Sequence, residues 1–230
     1  MSIQNLLEQL LQSGVSRYES AKQSGDLGKY ATGAAAGGAL ALLLGSRGGR
    51  RLGGQALKIG TVAALGTLAW RAYNEWQAKQ QAGAPAAAAG APQASVRATL
   101  PAPTDFARLS APQLEDHSRA MLKALIAAAR ADGHMDERER GVVEAELQRL
   151  DADPATRGWV EAELRRPVEP AEVAAASTSP QMAAEIYLAS VLVADDTTTM
   201  ERAYLDELAR QLKLAPELKA DLEARARTGA

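Results

Sequence analysis

Residues 125–150 read LIAAARADGHMDERERGVVEAELQRL, and residues 188–212 read LASVLVADDTTTMERAYLDELARQL. Each stretch is an apolar segment with helical spacing, then an acidic turn, then a second helical segment. Ala131-Asp132 aligns with Ala194-Asp195 at an offset of 63, and Glu139 with Glu201 at an offset of 62. Leu150 and Leu212 keep the 62, so the second turn is one residue shorter. A duplicated helix–acidic turn–helix unit sets the fold class: all-α, a small helical bundle.

Working outward, the helical period holds from residue 110 to the end, and no stretch alternates as a strand does. Ser110 with Pro112 is a helix start, followed by a stripe of Leu114, Met121, Leu122, Leu125 and Ile126. Asp132-Gly133 stops that helix and the next runs from Asp136, with Val142, Val143, Leu147 and Leu150 inward. Asp153-Pro154 begins a helix carrying Trp159, Val160 and Leu164. Pro167 and Pro170 bracket a turn before a short Ala-rich helix, 171–176. Ser179-Pro180 begins a helix with Met182, Ile186, Tyr187, Leu188, Val191 and Leu192. Thr198 with Glu201 forms a T-x-x-E capping box ahead of Tyr204, Leu205, Leu208 and Leu212. A last helix runs from about Pro216 to Arg227. Trp159, Tyr187 and Tyr204 belong to the core by spacing, and His117 reads as a helix-surface residue.

Composition removes several classes of function. The 230 residues include no Cys, so disulfide frameworks, cysteine nucleophiles and thiolate metal sites are excluded. A net charge of −2 with 4% aromatic residues gives neither the pull nor the stacking surface for nucleic acid. The average charge hides a division. Residues 1–82 hold nine Lys/Arg against four Asp/Glu, whereas residues 113–230 hold fifteen against twenty-three. The two parts are joined by AGAPAAAAGAPQASVRATLPAP, residues 82–103, where Pro interrupts helix and Ala and Gly build no core. The expected organisation is therefore an amino-terminal part over 1–81, a flexible linker over 82–109 and an all-α domain over 110–230.

The amino-terminal part reads as membrane-facing. Ile3, Leu6, Leu7, Leu10 and Leu11 form an amphipathic helical stripe. Two apolar runs follow, residues 31–45 and 59–70, each shorter than the ~20 residues that cross a bilayer squarely. Gly33 and Gly37 make one GxxxG, which favours close helix contact in lipid and fits a homo-oligomer. Trp70, Tyr73 and Trp76 resemble an interfacial aromatic anchor. Between the runs lie Arg47, Arg50 and Arg51, suited to anionic lipid headgroups on the cytoplasmic side and equally to a solvated basic loop. A shallow hairpin in one leaflet, a single extended span and a soluble Gly/Ala-rich helical pair are all compatible with these runs. The Gly-rich bend holds neither phosphate-loop pattern.

The acidic turns carry the chemistry. Asp132, Asp136 and Glu139 in the first, and Asp195, Asp196 and Glu201 in the second, place carboxylates as a hard divalent cation such as Ca²⁺, Mg²⁺ or Mn²⁺ requires. Neither turn matches an EF-hand loop. The same residues also serve as helix caps, since Asp136 with Glu139 and Thr198 with Glu201 have capping-box spacing. Capping alone and capping with metal both remain open. No nucleophile elbow or H-E-x-x-H motif is present, and His117 and His134 lack ligand spacing, so the chain reads as a non-enzyme.

These residues carry a resemblance. ARADGHMDERER, followed by VADDTTTMERAYLDELARQLKL, resembles the TerB-like tellurite-resistance domain. The whole layout resembles the YebE-like family (domain-of-unknown-function family 533), bacterial inner-membrane proteins of unknown function. The resemblance implies an all-helical fold of two duplicated halves and an acidic site for a divalent metal. It implies location at the bacterial inner membrane with the carboxy-terminal domain in the cytoplasm. Thr199 stands where an acid matching Asp136 would complete the second half-site. The expectation is a membrane-associated protein whose acidic domain binds a divalent metal, a protein partner or both, in a stress or tellurite response. The alternative is a scaffold that oligomerises through its Gly/Ala-rich segment without metal.

Overall fold

The computed structural model describes residues 2–10, 62–82, 109–132, 137–194 and 198–228. All regular structure among them is helical. In chain order the helices are α1 (residues 3–10), α2 (Val62–Ala82), α3 (Ala111–Ala129), α4 (Glu137–Arg149), α5 (Pro154–Arg165), α6 (Pro170–Ala174), α7 (Pro180–Val193), α8 (Thr199–Gln211) and α9 (Pro216–Thr228).

Local chemistry sets the helix starts. Asp153 caps α5, its Oδ1 accepting the Thr156 N–H at 2.7 Å. Ser179 caps α7, its Oγ accepting the Met182 N–H at 3.1 Å. Ahead of α3, the Gln113 side-chain oxygen accepts the Ser110 backbone N–H at 2.9 Å. Each cap satisfies a donor that the first helical turn leaves unpaired. Pro154, Pro170, Pro180 and Pro216 each occupy a first helical position, where the missing N–H costs nothing.

The duplication extends further than the two-helix unit seen in sequence. α4 and α8 end in the same left-handed turn, with Asp151 at φ 51° and Lys213 at φ 55°. In the first, the Ala152 N–H reaches Leu147 O at 3.0 Å and the Asp151 N–H reaches Gln148 O at 3.1 Å. In the second, the Leu214 N–H reaches Ala209 O at 3.0 Å and the Lys213 N–H reaches Arg210 O at 3.1 Å. Both are Schellman motifs at corresponding positions. A third helix then follows in each half, starting at Pro154 and at Pro216. Its buried positions correspond as well: Thr156 with Leu218, Val160 with Leu222, Leu164 with Ala226. The repeat is thus α3–α4–α5 and α7–α8–α9, with α6 between the halves.

α7 is the central element, buried continuously from Met182 to Val193. A helix apolar on all sides needs cover on all sides. α3, α2, α9 and α8 supply it. His117, early in α3, meets Glu185 of α7. Lys123, further along α3, meets Glu172 ahead of α7.

The helices of the amino-terminal part share this core. Ile3, Leu6, Leu7 and Leu10 of α1 are buried, and the Ile3 N–H donates to Glu115 Oε1 of α3 at 3.2 Å. Leu65, Ala69, Ala72 and Tyr73 of α2 are buried, with Leu68 and Trp76 packed against them. Of the expected aromatic anchor, Tyr73 and Trp76 lie against the bundle. The physical reason is that α7 and α9 present apolar surface that α2 covers as effectively as lipid would. None of the described helices is long and apolar enough to cross a membrane. Residues 31–45, the start of the second run at 59–61 and residues 83–108 of the linker lie outside the described residues.

Candidate functional site

Of the candidate metal ligands, two have described side chains. Asp132 lies exposed in the turn that ends α3. Glu201 lies in the first turn of α8 and is only 4% exposed. Its backbone N–H donates to Thr198 Oγ1 at 3.2 Å, and the Thr198 hydroxyl donates to its carboxylate. Thr198 thus caps α8 through the Glu201 N–H, and its hydroxyl holds the Glu201 carboxylate beside the cap. Asp136, Asp195 and Asp196 lie outside the described residues, as does the side chain of Glu139, whose backbone belongs to α4. Arg47, Arg50 and Arg51 also lie outside them.

Asp132 follows the carboxy end of α3, and Glu201 follows the carboxy end of α7. Among the described residues, no group of three or more His, Asp or Glu is placed to hold a metal ion.

Polar chemistry missed in sequence lies inside the bundle. His117 Nε2 stands 2.9 Å from Glu185 Oε2, with side chains 7% and 1% exposed. The pair ties the first helix of one repeat to the first helix of the other. His117 is thus a core residue, a correction to its surface reading. Its signal was available: it sits three residues after Leu114 and four before Met121, on the apolar stripe. Glu185 was equally conspicuous as the lone acid in MAAEIYLASVLV.

A second network joins α7, α8 and α9. The buried Tyr187 hydroxyl donates to Glu223 Oε1 at 2.7 Å. Lys219 Nζ donates to the same oxygen at 2.7 Å and lies 3.1 Å from Asp206 Oδ1. Burial and the Glu223 carboxylate push the Tyr187 phenol far above its ordinary pKa. Burial works against the Glu223 carboxylate, but its bonds to Lys219 and Tyr187 prevail and hold it below the ordinary range. At the other end, Arg130 Nη1 caps the last carbonyls of α5, reaching Glu163 O at 3.2 Å and Arg166 O at 2.7 Å. Burial leads in lowering the Arg130 pKa.

A groove of about 490 Å³ runs between α2, the start of α7 and the α8–α9 turn. Tyr73 and Trp76 form one wall, their ring centroids 5.9 Å apart. Leu212, Leu214 and Leu218 line the other, with Ser177, Gln211 and Lys213 also contributing. Such a lining suits apolar contact with hydrogen bonds at its margin.

The profile of the DUF533 family, described as proteins of unknown function, matches residues 29–226. An uncharacterized protein in the ampR 5' region of Yersinia enterocolitica is 25% identical over 110 residues, covering 48% of this chain and 79% of that protein. No solved structure matches the chain. The family match takes in α2, both three-helix repeats and the intervening α6, and on that extent the chain belongs to the DUF533 family.

Proposed function

We propose that this protein is a non-enzymatic, membrane-associated adaptor of the bacterial envelope, with a TerB-like acidic domain that holds a protein partner and responds to a divalent cation at its acidic turns. The observation that carries the binding role is the groove beside α2, whose walls are Tyr73, Trp76, Leu212, Leu214 and Leu218. Aromatic and aliphatic walls of this kind anchor a partner's apolar side chains. The cation role rests on Asp132, open to solvent in the first turn, together with the acids that follow it in sequence. The membrane role rests on the apolar runs and the basic balance of residues 1–82. A stress or tellurite response is the setting that the TerB-like resemblance suggests.

Calorimetric titration of the full chain with Ca²⁺, Mg²⁺ and Mn²⁺ tests the cation role. Micromolar binding by one of them, lost in the Asp132→Ala/Asp195→Ala double variant, is the expected result. Binding that survives the double variant would remove these residues as ligands. No heat with any of the three would return the turn acids to helix capping and leave an adaptor without metal.

A further inference from the structure

Residues 83–110 separate α2 from α3 in the chain. α2 packs on α7 and α9 through a buried face of Leu65, Ala69, Ala72 and Tyr73. Beside Tyr73 and Trp76 the seam is left open as the groove of about 490 Å³. Among the described residues, both amide atoms of Asn74 and the indole N–H of Trp76 are buried without a hydrogen-bond partner. Such groups regain partners when they return to water or to a polar interface. Across the seam Glu75 reaches Arg225 of α9 at 2.5 Å. Glu75 is 51% exposed, so that link is weak.

The aromatic face of α2 has two possible destinations and cannot occupy both. Tyr73 and Trp76 are packed against the bundle, yet they also form part of the aromatic set suited to a bilayer interface. We infer that α2 is a displaceable cover over the α7–α9 surface, which transfers its aromatic face to an anionic lipid bilayer and thereby uncovers α7 and α9. This rests on the membrane association proposed above. The basic balance of residues 1–82 selects anionic lipid, by charge complementarity. The surface uncovered is that of α7, which is buried along its length and so becomes an apolar partner face when α2 leaves.

The chain contains no Cys, so Glu75→Cys with Arg225→Cys gives a unique pair for a cleavable bis-maleimide. Full-length protein, linked and cleaved, is mixed with phosphatidylethanolamine–phosphatidylglycerol vesicles. Co-sedimentation reads binding, and hydrogen exchange reads α7 and α9. The cleaved form should bind and show at least tenfold faster exchange in α7 and α9 on vesicles; the linked form should keep both helices protected. Binding with unchanged exchange in the cleaved form would overturn the cover and leave the membrane association standing. Absence of binding by either form would overturn both. Glu75→Arg, at an exposed position and without any linker, should raise exchange across α2 several-fold in solution. Unchanged exchange there would also count against release.

Discussion

At the residue scale, the His117–Glu185 pair is where a single change has most effect. Its atoms are 2.9 Å apart in a site almost closed to water, so removing one partner takes a close ion-pair contact from the other inside the core. His117→Ala should lower stability by on the order of 3 kcal/mol in urea denaturation. His117→Phe with Glu185→Leu, which removes both polar groups, should recover much of that loss. If the single and double variants lose equally, the pair is not the reason. Glu223 gives a pH prediction. Its pKa is lower in the folded chain than the ordinary 4.5, so its contribution to stability is complete above about 4.5. The contribution is lost as pH falls through the depressed folded value. Thermal melts from pH 7 down to pH 3 should show a decline that is shallower in Glu223→Gln.

At the element scale, the left-handed turns ending α4 and α8 offer the cleanest test of backbone chemistry. Lys213 holds φ 55°, a conformation that disfavours a side chain with a Cβ. Lys213→Gly should therefore raise stability by about 1 kcal/mol. Gly158 lies inside α5, and an added Cβ there would meet nothing within 4 Å. Gly158→Ala should stabilise by about 0.5–1 kcal/mol. Denaturant midpoints check both, and a loss at either position would contradict the local assignment. The helix starts were legible because a cap is a local signal: Ser110, Asp153, Ser179 and Thr198 each announce a helix within four residues. The correspondence of α5 with α9 as a third repeated helix was not. Pro154 and Pro216 correspond, but Thr156 faces the core where its counterpart is Leu218, and Leu164 where its counterpart is Ala226. Equivalent burial does not require similar residues.

At the scale of the whole molecule, sequence showed which faces were apolar and left open what would cover them. The stripes of α1 and α2 read as suited to lipid, and the described parts of both lie in the protein core. Hydrophobic burial is non-directional, so an apolar face alone does not distinguish a bilayer from a neighbouring helix. The candidate site was legible to a similar depth. Acid clustering at the two turns was visible, but the burial of Glu201 and its bond to Thr198 depend on how α8 packs.

The central claim is that the amino-terminal helices and the two three-helix repeats share one core organised on α7. Hydrogen exchange of the full chain, resolved helix by helix, tests it most directly. α7 should exchange slowest, and α2 should be protected well above an unfolded peptide while opening before α7. Exchange across residues 62–82 at the rate of an unfolded peptide would contradict the shared core.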